Sequence, residues 1–179
     1  MMKIMGIKQV SQNNTYQNYT NRSTVTVTTE GSNGSGFLIS DDGDILTCAH
    51  VVLKNNKLIY GKLRVQIFEL DKTYTAEATV KHVDCRADIA ILHTSHDHFK
   101  NRKCSFRSTP PIIGEPVDMF AHSMGLVDHS FASGFVRNCS WKDPYDQRQL
   151  PFVLTSIDTC NGNSGAAIFD KNGEVLLMH

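Results

Sequence analysis

A histidine, an aspartate and a serine stand out because each sits where the neighbouring sequence would hold a polar side chain in one direction. His50 ends the apolar run Ile45-Leu-Thr-Cys-Ala, and Asp88 opens another, Ile89-Ala-Ile-Leu. Ser164 lies in the glycine-flanked turn Gly162-Asn-Ser-Gly. The order is His, Asp, Ser, with separations of 38 and 76 residues. A serine hydroxyl is a poor nucleophile until an imidazole takes its proton. The imidazole in turn needs a carboxylate on its other nitrogen, which fixes the tautomer and stabilises the imidazolium. The trio therefore reads as nucleophile (Ser164), general base (His50) and orienter (Asp88). Glycines beside the serine let backbone N–H groups converge. The loop Gly162, Asn163 and Ser164 is then the expected oxyanion hole, each donor being worth about 10²–10³ in rate.

Such a constellation needs rigid elements beneath it, and the chain supplies short β-rich segments separated by turns. Thr24-Val-Thr-Val-Thr alternates cleanly, and Gly36-Phe-Leu-Ile-Ser is joined to Ile45-Leu-Thr-Cys-Ala by Asp41-Asp-Gly-Asp, a strong hairpin signal. Leu63-Arg-Val-Gln-Ile-Phe, Tyr74-Thr-Ala-Glu-Ala-Thr-Val and Ile89-Ala-Ile-Leu complete a first group of six. A polar stretch ending in Pro110-Pro111 then breaks the pattern. Five more candidate strands follow: Pro116–Ala121, Ser130–Val136, Phe152–Ile157, Gly165–Phe169 and Glu174–Met178. The reading is a flexible leader over 1–22 and one domain over 23–179, with a first barrel at about 23–93, a linker at 94–111 and a second barrel at about 112–179. The expected class is all-β, built from two antiparallel barrels.

These motifs resemble the trypsin-like serine peptidases, and the likeness is greatest to their HtrA/Deg branch. The segment from Gly34 through Val52, Gly-Ser-Gly-Phe-Leu-Ile-Ser-Asp-Asp-Gly-Asp-Ile-Leu-Thr-Cys-Ala-His-Val-Val, looks like the family's first catalytic signature. Asp88-Ile-Ala-Ile-Leu is similar to the branch's aspartate motif, and Gly162-Asn-Ser-Gly followed by Asp170-Lys-Asn-Gly-Glu-Val is similar to its nucleophile loop and following hairpin. The resemblance implies two six-stranded chymotrypsin-like barrels, with eleven of the twelve strands found and the last strand of the second barrel missing. It implies a serine endopeptidase acting on polypeptides through an acyl-enzyme, with His50, Asp88 and Ser164 in the roles above and no metal or organic cofactor. Asp158-Thr-Cys-Asn-Gly-Asn-Ser-Gly also resembles the equivalent stretch of trypsins proper. Asp158, Thr159 and Cys160 would then line the substrate pocket, with the carboxylate favouring a basic side chain.

There are departures from the pattern. Gly165-Ala-Ala stands where the family usually has Gly-Gly-Pro, and Cys48 stands where the branch commonly has Asn. An open second-barrel edge would leave Val175, Leu176 and Leu177 partly uncovered, inviting a partner strand or a second copy. A catalytically silent domain that binds peptides or a partner subunit is the competing reading.

Composition narrows the remaining classes. Of 179 residues 40% are hydrophobic, enough for a core without disulfide or metal staples. Lys plus Arg and Asp plus Glu are 18 each, so net charge gives no footprint for nucleic acid and no polybasic attraction to a membrane. His93, His96, Asp97 and His98 crowd together without a structural zinc spacing and read as a solvated loop. Five widely spaced cysteines and a start without a signal-peptide apolar run favour reduced thiols and an intracellular setting.

Overall fold

The computed structural model describes residues 22–54, 57–59, 62–69, 72–122, 130–142 and 152–179. The leader read at 1–22 lies, apart from Arg22, outside the described residues. The first half holds β1 (Thr24–Thr29), β2 (Ser32–Leu38), β3 (Asp44–Cys48), a one-turn helix α1 (Ala49–Val52) and the small hairpin β4 (Leu53–Lys54) and β5 (Lys57–Leu58). It continues with β6 (Arg64–Glu69), β7 (Lys72–Glu77), β8 (Thr79–Asp84) and β9 (Ile89–His93). The second half holds β10 (Pro116–Ala121), β11 (Ser130–Trp141), β12 (Phe152–Thr155), β13 (Ala167–Phe169) and β14 (Val175–Met178). The architecture is all-β, with two curled antiparallel sheets.

The first sheet runs β7-β6-β1-β2-β3-β9-β8, seven strands where the sequence suggested six. The expected strand from Tyr74 is two, parted at Ala78, whose N–H bonds the Leu63 carbonyl at 3.0 Å. That single residue links the two outermost strands of the sheet, so the sheet must curl back on itself. Val25, Val27, Leu38, Ile45, Val65, Ile67, Ala90 and Leu92 fill its interior. The alternation of β1 predicts threonines facing water, yet Thr24 and Thr26 are 0% and 3% exposed. The reason is tertiary: β1 also packs against β10 of the second half.

The second sheet runs β12-β11-β10-β13-β14, and its core is built on Val117, Met119, Ala121, Val136 and Ile168. A third cluster joins the two halves, with Phe37 from β2 against Phe120, Ala167, Phe169 and Val175. Residues 94–111 are tied down along the way. Phe99 is fully buried in the first core, where truncation to Ala would cost about 3–5 kcal/mol. The Cys104 N–H bonds the Leu38 carbonyl at 2.8 Å. Further along, the Val175 N–H donates to the Ser105 carbonyl at 2.7 Å and Arg107 N–H to the Val175 carbonyl at 3.0 Å. Val175 is therefore buried rather than uncovered, because this segment pairs with the start of β14; Leu176 and Leu177 are half-buried.

Candidate active site

Asp88 is placed by the turn that ends β8. The Asp84 carboxylate accepts the N–H groups of Arg86 and Ala87 at 2.9 and 3.0 Å, an Asx-type turn that reverses the chain. The bond from Ala87 is the main reason the Asp84 pKa is lowered. Asp88 follows with φ of 58°, a left-handed conformation that aspartate tolerates better than most residues. From there it meets the first turn of α1 at three points. Its carbonyl accepts the Ala49 N–H at 3.0 Å, and its Oδ1 accepts the His50 N–H at 2.9 Å. Its Oδ2 lies 2.7 Å from His50 Nδ1. The imidazole side chain is 56% exposed and the carboxylate 28%.

The Gly162–Ala166 turn is seated against the same corner. Gly165 has φ of +87°, and a Cβ there would fall 2.2 Å from the Ser35 carbonyl oxygen, 2.6 Å from Thr47 Oγ1 and 3.1 Å from the Cys48 nitrogen. Only a residue without a side chain lets the turn lie on the end of β3, two residues before His50. Ser35 wires the contact together. Its N–H donates to the Ser164 carbonyl at 2.8 Å, and its hydroxyl donates to the Gly162 carbonyl at 2.7 Å. The same hydroxyl accepts the His122 N–H at 2.9 Å, while the Ser35 carbonyl accepts Thr47 Oγ1 at 2.7 Å. Asn163 is buried, its N–H donating to the Cys160 carbonyl at 3.2 Å and its carbonyl accepting the Ala166 N–H at 2.9 Å.

His179 completes the corner. Its carbonyl accepts both the Gly165 N–H at 2.8 Å and the Cys48 thiol at 3.2 Å. Desolvation of its imidazole, and then the charge of nearby His50, lowers its pKa. Cys48, His50 and Asp88 bring a sulfur, a ring nitrogen and a carboxylate oxygen within 4.8 Å of one another. All five cysteines stand as thiols; Cys104, the most deeply placed, is pushed up to about 12 by burial.

Of the residues singled out in the sequence, His50 and Asp88 are joined directly. The turn bearing Ser164 is pinned by Gly165 and Ser35 to the strand that carries His50. Among the described residues no hydrogen bond runs from Ser164 Oγ to His50, an interaction that is often long before substrate binds. Asp158, Thr159 and Cys160 are exposed on the approach to the turn. Sequence reasoning missed the positioning roles of Ser35 and Thr47. Ser35 lies inside the quoted Gly34-Ser-Gly motif, but its partners His122, Gly162 and Ser164 are 87 to 129 residues away in the chain, and no local pattern reports them.

The model of the trypsin-like peptidase domain family matches residues 34–176. A probable periplasmic serine endoprotease DegP-like of Halomonas elongata is 31% identical over 143 residues, 80% of this chain and 28% of that protein. The DegP-like relative from Pseudomonas putida strain W619 is 32% identical with the same coverage. The chain thus spans about 28% of the length of these curated relatives. Among solved structures, Deg5 gives a TM-score of 0.75 at 19% identity, covering 91% of this chain and 81% of that one, a likeness of fold. The inactive form of the Rv3671c protease gives 0.75 at 27% identity, covering 93% and 80%. The expectation of an intracellular setting is overturned by these relatives, which are named as periplasmic endoproteases. It rested on the make-up of the first residues and on unpaired cysteine spacing, neither of which fixes a compartment. No described helix is long and apolar enough to cross a membrane. The matched span, the two curled sheets and the DegP-like relatives together show that this chain belongs to the trypsin-like peptidase family, with its similarity running to the HtrA/Deg branch.

Proposed function

We propose that the chain carries the hydrolytic site of a serine endopeptidase acting on polypeptides, with Ser164 as nucleophile, His50 as general base and Asp88 as its orienter. The observation that carries this reading is the two-point hold of Asp88 on His50, at 2.7 Å on the ring and 2.9 Å on the backbone amide. A carboxylate on Nδ1 keeps the proton there and leaves Nε2 with a lone pair. Nε2 takes the Ser164 proton as Oγ attacks the carbonyl, then returns it to the leaving amine. Water, activated by the same nitrogen, cleaves the acyl-enzyme. The amides of Gly162 and Ser164 receive the oxyanion, on a turn whose left-handed Gly162 has φ of 95°. Asp158, Thr159 and Cys160 border the pocket for the side chain preceding the scissile bond, where the Asp158 carboxylate favours Lys or Arg.

The test is labelling with a fluorophosphonate probe alongside cleavage of casein. Both are expected to be lost in Ser164→Ala and His50→Ala while the thermal transition persists. Labelling that survives Ser164→Ala overturns the assignment. Peptide affinity without turnover would instead support the silent binding domain.

A further inference from the structure

We propose that Cys48, His50 and Asp88 also form a site for a thiophilic divalent cation, with Zn²⁺ as its class, and that an ion there shuts off the general base. The binding half of this inference stands on the side-chain cluster. The inhibitory half rests on His50 being the base. The donors are a sulfur, an imidazole nitrogen and a carboxylate oxygen, all within 4.8 Å of one another and drawn from the end of β3, α1 and the residue before β9. Zinc bonds of about 2.3 Å to sulfur and about 2.0–2.2 Å to nitrogen and oxygen put tetrahedral donors roughly 3.3–3.8 Å apart. The 2.7 Å His50–Asp88 pair has to open by roughly 0.6–0.9 Å, and a sulfur at the outer limit of 4.8 Å would close in by about an ångström, shifts of the size side-chain torsions supply.

Charge and chemistry agree with such an ion. A Cys48 thiolate and the Asp88 carboxylate together neutralise a divalent cation, and binding releases the thiol proton to solvent. Sulfur and imidazole favour zinc or cadmium over magnesium or calcium. Cys48 gives up a bond to the His179 carbonyl, but a thiol is a weak donor and the loss is small. The exposed face of His50 leaves a fourth position for water. Either ring nitrogen blocks catalysis. Metal on Nε2 occupies the lone pair itself. Metal on Nδ1 sends the ring proton to Nε2, which then cannot accept the proton of Ser164.

Cys48 is decisive because it adds the soft donor. A histidine–carboxylate pair alone would hold zinc weakly. The test uses the full chain with Cys85→Ser and Cys160→Ser, which removes the two exposed thiols. Titration with Cd²⁺ should give a thiolate-to-cadmium charge-transfer band saturating at one equivalent. The band should vanish in both Cys48→Ser and Cys48→Ala, and the affinity should fall at least about tenfold in His50→Ala and in Asp88→Asn. In parallel, Zn²⁺ should slow fluorophosphonate labelling of Ser164 about tenfold or more, and should leave the rate of each Cys48 variant at its own metal-free value. A band that survives both Cys48 variants, or that ignores His50 and Asp88, overturns the site. Chains that do not label even without metal count against the peptidase reading alone, and the cadmium titration still decides the site.

Discussion

Asp88 holds His50 at the ring and at the backbone together: Oδ2 lies 2.7 Å from Nδ1, while Oδ1 accepts the amide N–H at 2.9 Å. One carboxylate thus fixes both the start of α1 and the tilt of the imidazole, so the position of the ring and the position of its main chain are not independent. Asp88→Asn separates the two effects. Asparagine tolerates the φ of 58° and its carbonyl oxygen can still accept the amide. Its NH₂ would face Nδ1, however, and force the proton onto Nε2. Labelling of Ser164 should fall by about 10³–10⁴ with little change in the thermal transition. Asp88→Ala forfeits both bonds and should in addition lose about 1–3 kcal/mol of stability. Wild-type labelling in Asp88→Asn would remove the carboxylate from the mechanism.

Ser35 offers a second, quieter lever. Ser35 is 1% exposed, and its hydroxyl links the Gly162 carbonyl to the His122 N–H, so it spans the turn and the end of β10. Ser35→Ala leaves both groups without that partner and should cost about 1–3 kcal/mol. Because the Gly162 peptide belongs to the proposed oxyanion hole, kcat should fall more than KM rises. A variant that is less stable yet unchanged in kcat would make Ser35 structural only.

How much of this was legible in the chain follows from where each signal is stored. The β-segments could be read because alternation is local: all five candidate strands of the second half appear, as β10 to β14. The division at Ala78 could not, since the alternation runs on through it while the first half pairs back on β6 and the second half forward on β9, at opposite ends of the curled sheet. His50, Asp88 and Ser164 were visible through the motifs around them, and the first two do meet. What escaped is long-range. Thr24 and Thr26 are buried by a neighbour from the other half, and Ser35 acts through residues far along the chain. The Cys48 sulfur comes beside the Asp88 carboxylate only because β3 pairs with β9, a long-range register that no local motif carries.

Gly165 and Gly114 give a controlled comparison of strain with and without collision. Both have positive φ, 87° and 88°. A Cβ at Gly114 meets nothing within 4 Å, whereas one at Gly165 falls 2.2 Å from the Ser35 oxygen. Gly114→Ala should therefore carry only the conformational cost, about 1–2 kcal/mol. Gly165→Ala has to push the turn off β3 as well, and should lose more than twice as much along with nearly all Ser164 labelling. Equal melting temperatures for the two variants would contradict the close seating of the turn.

Asp44 sets the acid limb of stability. Burial would raise its pKa, but hydrogen bonds from Lys81 at 3.0 Å and His93 at 2.8 Å outweigh that and hold it below 3.8. A carboxyl whose pKa is lower in the folded chain than in the unfolded one favours folding when ionised. The gain is complete above 3.8 and is lost as pH falls through the depressed folded value. The carboxylate is 20% exposed and ties β3 to β8 and β9, so Asp44→Asn should cost about 1 kcal/mol at neutral pH. Urea unfolding at neutral pH and again well below 3.8 checks this: the gap between wild type and Asp44→Asn should close in acid. A gap of the same size at both would mean that Asp44 stabilises the sheet through shape and neutral hydrogen bonding, with its charge contributing nothing.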